Sequence, residues 1–299
     1  MSQSLHYRPL ACQRITGYRR LWPLARQEML SVFRSKWGVA LYLFCLLPAL
    51  ARLTMLMIMF GVIEFGPPSL RNRLGQSVPD GMAFLSPEHA SFYLHDMLEA
   101  RPGMIFFLLL TTLVVARSVA RDRATNALEL YWTRGISPWG YVFAKWWGGF
   151  LITASVTVGT PLLLWVTATL LADDYTLLQA TAPQFLLGLA GMLLLTAVWT
   201  MIGTFVSASA SSANAAMVVW CMLLVGTRAV GGILSGILHE RELMSCLSFW
   251  EAGGVIVRSL ADLPQERVWL GGAIATLSTL LVVTGLLARR RLAIGEALQ

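Results

Sequence analysis

The chain is short of charge, cysteine and phosphate-binding loops, and each shortage excludes something. Charged residues make up 13% of 299, about half the share usual in soluble domains (~25%), which leaves too little polar surface for an ordinary water-soluble core. No GxxxxGK[ST] stretch occurs, so the chain has no Walker loop with which to hold ATP. The four cysteines, Cys12, Cys45, Cys221 and Cys246, are far apart and form no CxxC pair, which excludes a disulfide framework and a cysteine metal motif. The four histidines, at 6, 89, 95 and 239, are scattered. A membrane enzyme needs catalytic groups clustered near one face, and these do not cluster.

What is plentiful is apolar sequence, with 56% hydrophobic residues and a mean hydropathy of +0.64. Six runs, at 37–63, 103–120, 146–172, 183–206, 213–238 and 268–288, approach or exceed the ~20 residues that cross a bilayer as a helix. The second is the shortest. The fold class expected is therefore all-α and polytopic, with six transmembrane helices spanning 37–288, a cytoplasmic N-terminal part at 1–36 and a cytoplasmic tail at 289–299. The first apolar run is too long, and too far along the chain, for a cleaved signal peptide. No Asp or Glu falls in the middle of a run, which argues against a proton-coupled secondary transporter.

Charge orients these spans. Seven Lys/Arg precede the first run, five lie between Arg117 and Lys145, and three form Arg289–Arg291, whereas the alternate loops hold six. Those alternate loops carry 12 of the 16 acidic residues. The positive-inside rule then puts both termini in the cytoplasm of an inner (plasma) membrane. Anionic lipid explains the net charge of +7 without a nucleic-acid partner.

Several local signals stand out. Residues 21–36 read as an amphipathic helix in the interface plane, with Pro23 in its first turn. Trp22, Ala25, Met29 and Phe33 recur at helical spacing, and Arg26, Arg34 and Lys36 supply the polar side. Pro48 and Arg52 interrupt the first run and Arg228 the fifth. An arginine at membrane depth must snorkel or face protein or a polar path. Gly232 and Gly236 form a small-xxx-small pair suited to helix packing or a dimer seam. In the outer loop 64–102, a short helix would bring Glu88, His95 and Glu99 to one face, too few ligands for a convincing metal site. The outer loop 239–267 holds two apolar patches, 243–250 and 254–257, each too short to span and suited to interfacial or re-entrant helices.

The stretch 117–147 joins the second and third runs. Arg117, Arg121, Arg123, Arg134 and Lys145 outnumber Asp122 and Glu129. Read as a helix, 124–133 places Ala124, Ala127, Leu128 and Tyr131 on one side and Thr125, Asn126, Glu129 and Thr133 on another. Gly135 ends that helix. Ser137-Pro138 then reads as an N-cap with proline in the first turn of the next.

This stretch resembles the most recognisable part of the permease subunits of type-2 ABC transporters, which reads roughly I-A-x-E-R-x-x-G-T-L-E-L-L-L-(S/T)-x-P-(I/V)-S. Val119-Ala120-Arg121-Asp122-Arg123 stands at its charged start and Asn126-Ala127-Leu128-Glu129-Leu130 at its G-T-L-E-L core. Thr133-Arg134-Gly135-Ile136-Ser137-Pro138 stands at its turn, with Tyr141 and Lys145 at the re-entry into the membrane. Asn126 replaces the usual glycine, Arg121 precedes the acid, and Gly135 stands where proline is common. Glu28, Arg34 and Trp37 are similar to the family's N-terminal interfacial helix, and the six-span layout is closest to permeases of the copper-enzyme-maturation type.

The resemblance implies a non-catalytic subunit. Two such chains pair as a homodimer or with a close paralogue. Two ATP-binding subunits, carrying ATP and magnesium, dock beneath a coupling helix between spans two and three, and substrate moves, commonly outward. It makes Arg121, Asp122, Asn126, Leu128, Glu129, Arg134 and Ser137 the ATPase-coupling residues. No cofactor is expected on this chain. A secondary transporter, or a membrane-embedded enzyme or assembly factor, are the rival readings.

Overall fold

The computed structural model describes residues 21–63, 87–98, 102–128, 131, 136–172, 175–240, 247–263 and 269–297. Among these residues every regular element is helical and no strand occurs. The protein is an all-α polytopic membrane protein.

Helix α1 (Trp22–Arg34) carries proline in its first turn, where the missing N–H costs nothing. Ser35 breaks it in extended backbone and caps α2 (Lys36–Met59) by accepting from Gly38 N. Helix α2 keeps Pro48 inside it and is the first candidate span. A short helix α3 (Ala90–Leu98) follows. The second apolar run forms α4 (Pro102–Thr111), a π-helical turn at Thr112–Ala116 and α5 (Ser118–Ala124). Its wide turn leaves the first N–H groups of α5 without intrahelical acceptors. Ser207 Oγ, from another helix, accepts from Val119 N at 3.1 Å and Ala120 N at 3.0 Å.

The third run starts eight residues before its apolar stretch, as α6 (Pro138–Thr157), and continues after a break at Val158 as α7 (Gly159–Leu171). Ser137 is the N-cap, accepting from Gly140 N at 3.1 Å, with Pro138 in the first turn. The break falls where Pro161 has no N–H to give to Thr157, four residues back. Helix α8 (Thr176–Ser209) is the fourth span. The fifth is α9 (Ala213–Cys221), a second π turn (Met222–Gly226) and α10 (Thr227–Leu238). Helix α11 (Phe249–Leu260) follows, and α12 (Leu270–Ala297) ends the fold. Among the described residues five helices are long and apolar enough to cross a membrane, and the second run contributes the shorter apolar helix at Phe107–Ala116.

Spans three and four form the centre, each half buried within the chain, whereas α2 and the fifth and sixth spans leave most of their surface outward. Packing in lipid relies on small residues and hydrogen bonds rather than on the hydrophobic effect. Accordingly Thr157 and Thr196 meet at 2.8 Å, Trp146 Nε1 donates to Ala197 O at 3.1 Å, and Trp220 Nε1 donates to Thr111 Oγ1 at 3.0 Å. The last bond joins the second and fifth runs next to both π turns.

Helix α11 joins the end of the first expected apolar patch, 249–250, to the second in one element too short to span; residues 243–246 lie outside the described residues. Ser248 caps it by accepting from Glu251 N at 3.2 Å. Phe249, Trp250, Gly253 and Val257 are buried, with Trp250 stacked on Trp199 at a ring separation of 4.6 Å.

One expectation changes. The helix read at 124–133 is interrupted, because Asn126 adopts φ 55°, in the left-handed region. Glycine reaches that region without strain and asparagine tolerates it better than most residues, which is why glycine is common there in the resembling pattern. In α1, Leu24, Ala25, Glu28 and Val32 are buried within the chain, whereas Trp22 and Phe33 lie outside. In α10, Gly236 faces open space within the chain and the buried glycine is Gly231. Helix α12 continues through Arg289–Arg291 to Ala297.

Candidate functional site

The most unusual feature is a buried cluster of charge where α1, α5 and α6 meet. Glu28 is the only acid before Glu64, and it lies on the buried face of α1. Lys145, two turns into α6, sits opposite it. Gly148, one turn further, brings the two helices together: a Cβ there would stand 2.6 Å from Ala25 O and 2.8 Å from Glu28 Cβ. Asp122 arrives from α5. Its reach across depends on Ser207, which holds the start of α5 against the end of α8.

The geometry is tight. Lys145 Nζ lies 2.6 Å from Glu28 Oε2 and 2.8 Å from Asp122 Oδ2. Tyr141 OH donates to Asp122 Oδ2 at 2.6 Å. Arg121 approaches both acids at 3.9 Å with its side chain 41% exposed. Lys145 and Glu28 are each 2% exposed at the side chain. Isolated charges in such a place would be prohibitive, and here two carboxylates, two cations and a phenol satisfy one another. Leu24, Val119, Leu128, Tyr141, Val142, Ala144, Ala208 and Ala288 wrap the cluster in apolar surface. Five helices therefore close on one polar knot.

A second layer ties α5 to the turn after α8. Arg123 donates to Ala210 O at 2.7 Å and Ala208 O at 2.6 Å. Partial burial, and then the nearby Arg291, push the Arg123 guanidinium down from its usual range. The small-residue turn at 207–213 is thus an acceptor platform for α5.

The structure sorts the sequence-predicted coupling residues into two groups. Asp122 is buried and faces inward. The reason is that α5 turns this side toward Lys145. Arg121, Asn126 and Ser137 remain at least partly accessible. Leu128 is buried and packs with Tyr131, whose ring lies 5.2 Å from that of Tyr141. Glu129 and Arg134 lie outside the described residues. Lys145, counted in sequence as part of a basic loop, is an internal residue of α6. Glu28, Tyr141, Lys145 and Ser207 are the residues that sequence reasoning undervalued. The signal for Glu28 was its solitude: one acid among the seven cations of residues 1–36, on an amphipathic segment.

The intramembrane arginines both have protein partners. Arg228 donates to Glu251 Oε1 at 2.6 Å, and its neighbour Thr227 accepts from Phe249 N at 3.1 Å. These bonds tie α10 to the start of α11. Arg52 donates to the backbone oxygen of Phe92, with its guanidinium 4.9 Å from that ring's centre. Among the described residues no group of three or more His, Cys, Asp or Glu is placed to hold a metal. The side chain of His95, and Glu99, lie outside them.

No curated protein is similar enough to the chain to match it. A family model does match: that of the ABC-2 family transporter protein, over residues 22–249. The match is to the family as a whole and does not single out the copper-enzyme-maturation group within it. Permeases of this family are non-catalytic, multi-pass transport subunits that typically work with an ATP-binding partner. The matched segment opens at α1, whose Glu28 anchors the charge cluster, and runs past all three arms of it, so the chain belongs to the ABC-2 family of transporter permeases.

Proposed function

We propose that this chain is one half of a permease dimer that exports substrate, powered by ATP hydrolysed on two separate subunits docked beneath residues 125–137. The observation that carries this reading is the buried cluster of Glu28, Asp122 and Lys145. A segment pushed from the cytoplasm moves a membrane domain only if it is fixed to the spans. Helix α5 leads directly into the segment 125–137, and Asp122, Arg123 and the Ser207 contacts fix α5 to α1, α6 and α8 at once. A displacement of 125–137 is therefore passed to the third and fourth spans and to the interfacial helix together. Packed networks with satisfied polar groups transmit such shifts because they deform little.

In this reading both termini and the stretch 117–145 are cytoplasmic, six segments cross the inner membrane, and ATP and magnesium reside on the partner. Six spans make a small permease, and the outward faces of α2 and the fifth and sixth spans leave room for a second copy; Gly236, which faces open space within the chain, and Gly232 belong to that seam. Arg121, Asn126, Glu129, Arg134 and Ser137 form the surface toward the ATPase. A buried interface charge left without its partner costs ~2–5 kcal/mol.

The test is affinity purification of tagged permease from native membranes. Wild type brings down a P-loop ATPase and supports ATP-dependent transport, whereas Glu129→Arg stays inserted and dimeric but loses both. Full ATPase binding and transport in Glu129→Arg removes the coupling role of this segment.

A further inference from the structure

Beside the charge cluster, on the outer side of the same seam, lies an apolar groove of about 440 Å³ lined by Leu21, Trp22, Ala25, Phe143, Ala144 and Trp147. That volume falls within the span of ligand sites, ~300–1,000 Å³. Its walls are helices α1 and α6, the two that Glu28 and Lys145 join on the inner side. Trp22 and Phe143 are about half exposed, so the groove opens away from the protein. Trp147 and Phe143 stack with ring planes 12° apart and form a rigid aromatic wall. Aromatic residues of this kind gather at the level of lipid headgroups.

The rim is basic. Arg26 follows Ala25 and lies one helical turn from Trp22, on the exposed face of α1. Arg34 and Lys36 lie further along, also exposed. The acid of α1, Glu28, is turned inward and spent on Lys145. No carboxylate among the described residues pairs with Arg26, so it is left to meet an anion from outside the chain.

We infer that the groove is a resident site for an anionic phospholipid, with one acyl chain against Trp22, Phe143 and Trp147 and the headgroup at Arg26. This rests on the reading that α1 lies at the cytoplasmic interface, where acidic lipids collect. The occupant braces the seam that carries the charge cluster from its lipid side. A second apolar cavity, of about 330 Å³ between α8, α11 and α12, is likewise lined without charge, but the cation beside it on α11, Arg258, already has an interaction partner; a chain there has less cause to choose a headgroup.

The experiment uses the full-length permease alone in nanodiscs, with phosphatidylglycerol or phosphatidylcholine bearing the same photoreactive acyl chain, and adducts mapped by mass spectrometry. Adducts at 21–25 and 143–147 favour phosphatidylglycerol about fivefold in wild type, the factor one basic residue contributes near an anionic surface. Adducts at the second cavity show a weaker preference. Arg26→Gln, at an exposed position, brings the first site near parity, and Ala144→Phe, which fills the groove, removes its adducts while sparing the second cavity. Equal labelling by the two lipids in wild type, or an unchanged preference in Arg26→Gln, overturns the site and leaves only annular lipid. No ATPase takes part, so this result and that of Glu129→Arg can fail separately.

Discussion

Two ion pairs fasten short helices to this membrane domain, and they are built differently. On one side, Lys145 sits between Glu28 and Asp122 with the Lys145 and Glu28 side chains almost fully enclosed. On the other, Arg228 meets Glu251 alone, with side chains 33% and 19% exposed. The first joins three helices around one ammonium and is wrapped in apolar side chains. The second joins two and is assisted by a single backbone bond to Thr227. An enclosed, multiply bonded charge holds helices in one arrangement because any separation strands an ion. A pair with a single bond, and with part of each side chain outside the protein, holds its two helices less firmly. The first is suited to transmitting motion without slack, and the second to a looser join between α10 and α11.

The comparison is broken most severely at Lys145. Lys145→Met leaves Glu28 and Asp122 facing each other with only the more distant Arg121 as cation. We expect a loss of about 3–5 kcal/mol, read as a large fall in the thermal midpoint of purified protein and in membrane yield. Glu28→Gln costs less, since Asp122 still balances Lys145. A thermal midpoint for Lys145→Met close to wild type would show that the cluster is not closed.

Arg228→Leu is the milder break. Removing the cation leaves Glu251 without its partner, so the midpoint falls, though by less than for Lys145→Met, where two carboxylates lose theirs, and transport falls with it. Exchanging the two residues, Arg228→Glu with Glu251→Arg, restores part of the transport. Failure of that exchange, with stable protein, would assign Arg228 a role apart from Glu251.

The smallest effect is at Asn126, where only local backbone is at stake. Asn126→Gly is neutral or slightly stabilising, whereas Asn126→Val, which enters the left-handed region badly, loses about 1–2 kcal/mol. Proteolysis of the 125–137 region in native membranes measures this more directly than global melting. Equal cleavage of the two variants would sharpen the contrast by showing that this turn, unlike the cluster, carries no strain.

Much of the architecture was legible in the residues. The apolar runs, the caps at Ser137 and the fifth span at Ala213–Leu238 follow from local rules: length against bilayer thickness, and hydroxyl side chains satisfying the first N–H groups of a helix. The candidate site was less legible. Asp122 and Lys145 were visible as charges in a basic loop, but Glu28 is over ninety residues away, and no periodicity links positions so separated. The hydrophobic spacing of α1 did not reveal which side is buried in protein, because a helix at the membrane surface has lipid on one side and protein on the other, and both accept apolar residues.

By itself, then, the sequence determined the class of the protein, the number and placement of its apolar runs and the sign of charge at each end, since these depend on composition along a single axis. Only the tertiary structure decided which face of α1 is buried, that Asp122 turns inward, that Ser207 and Arg123 bind α5 to the turn after α8, and that Arg228 finds Glu251. Each is a pairing between distant positions, chosen because a charge or an orphan N–H held out of water must be met by whichever helix the packing brings alongside.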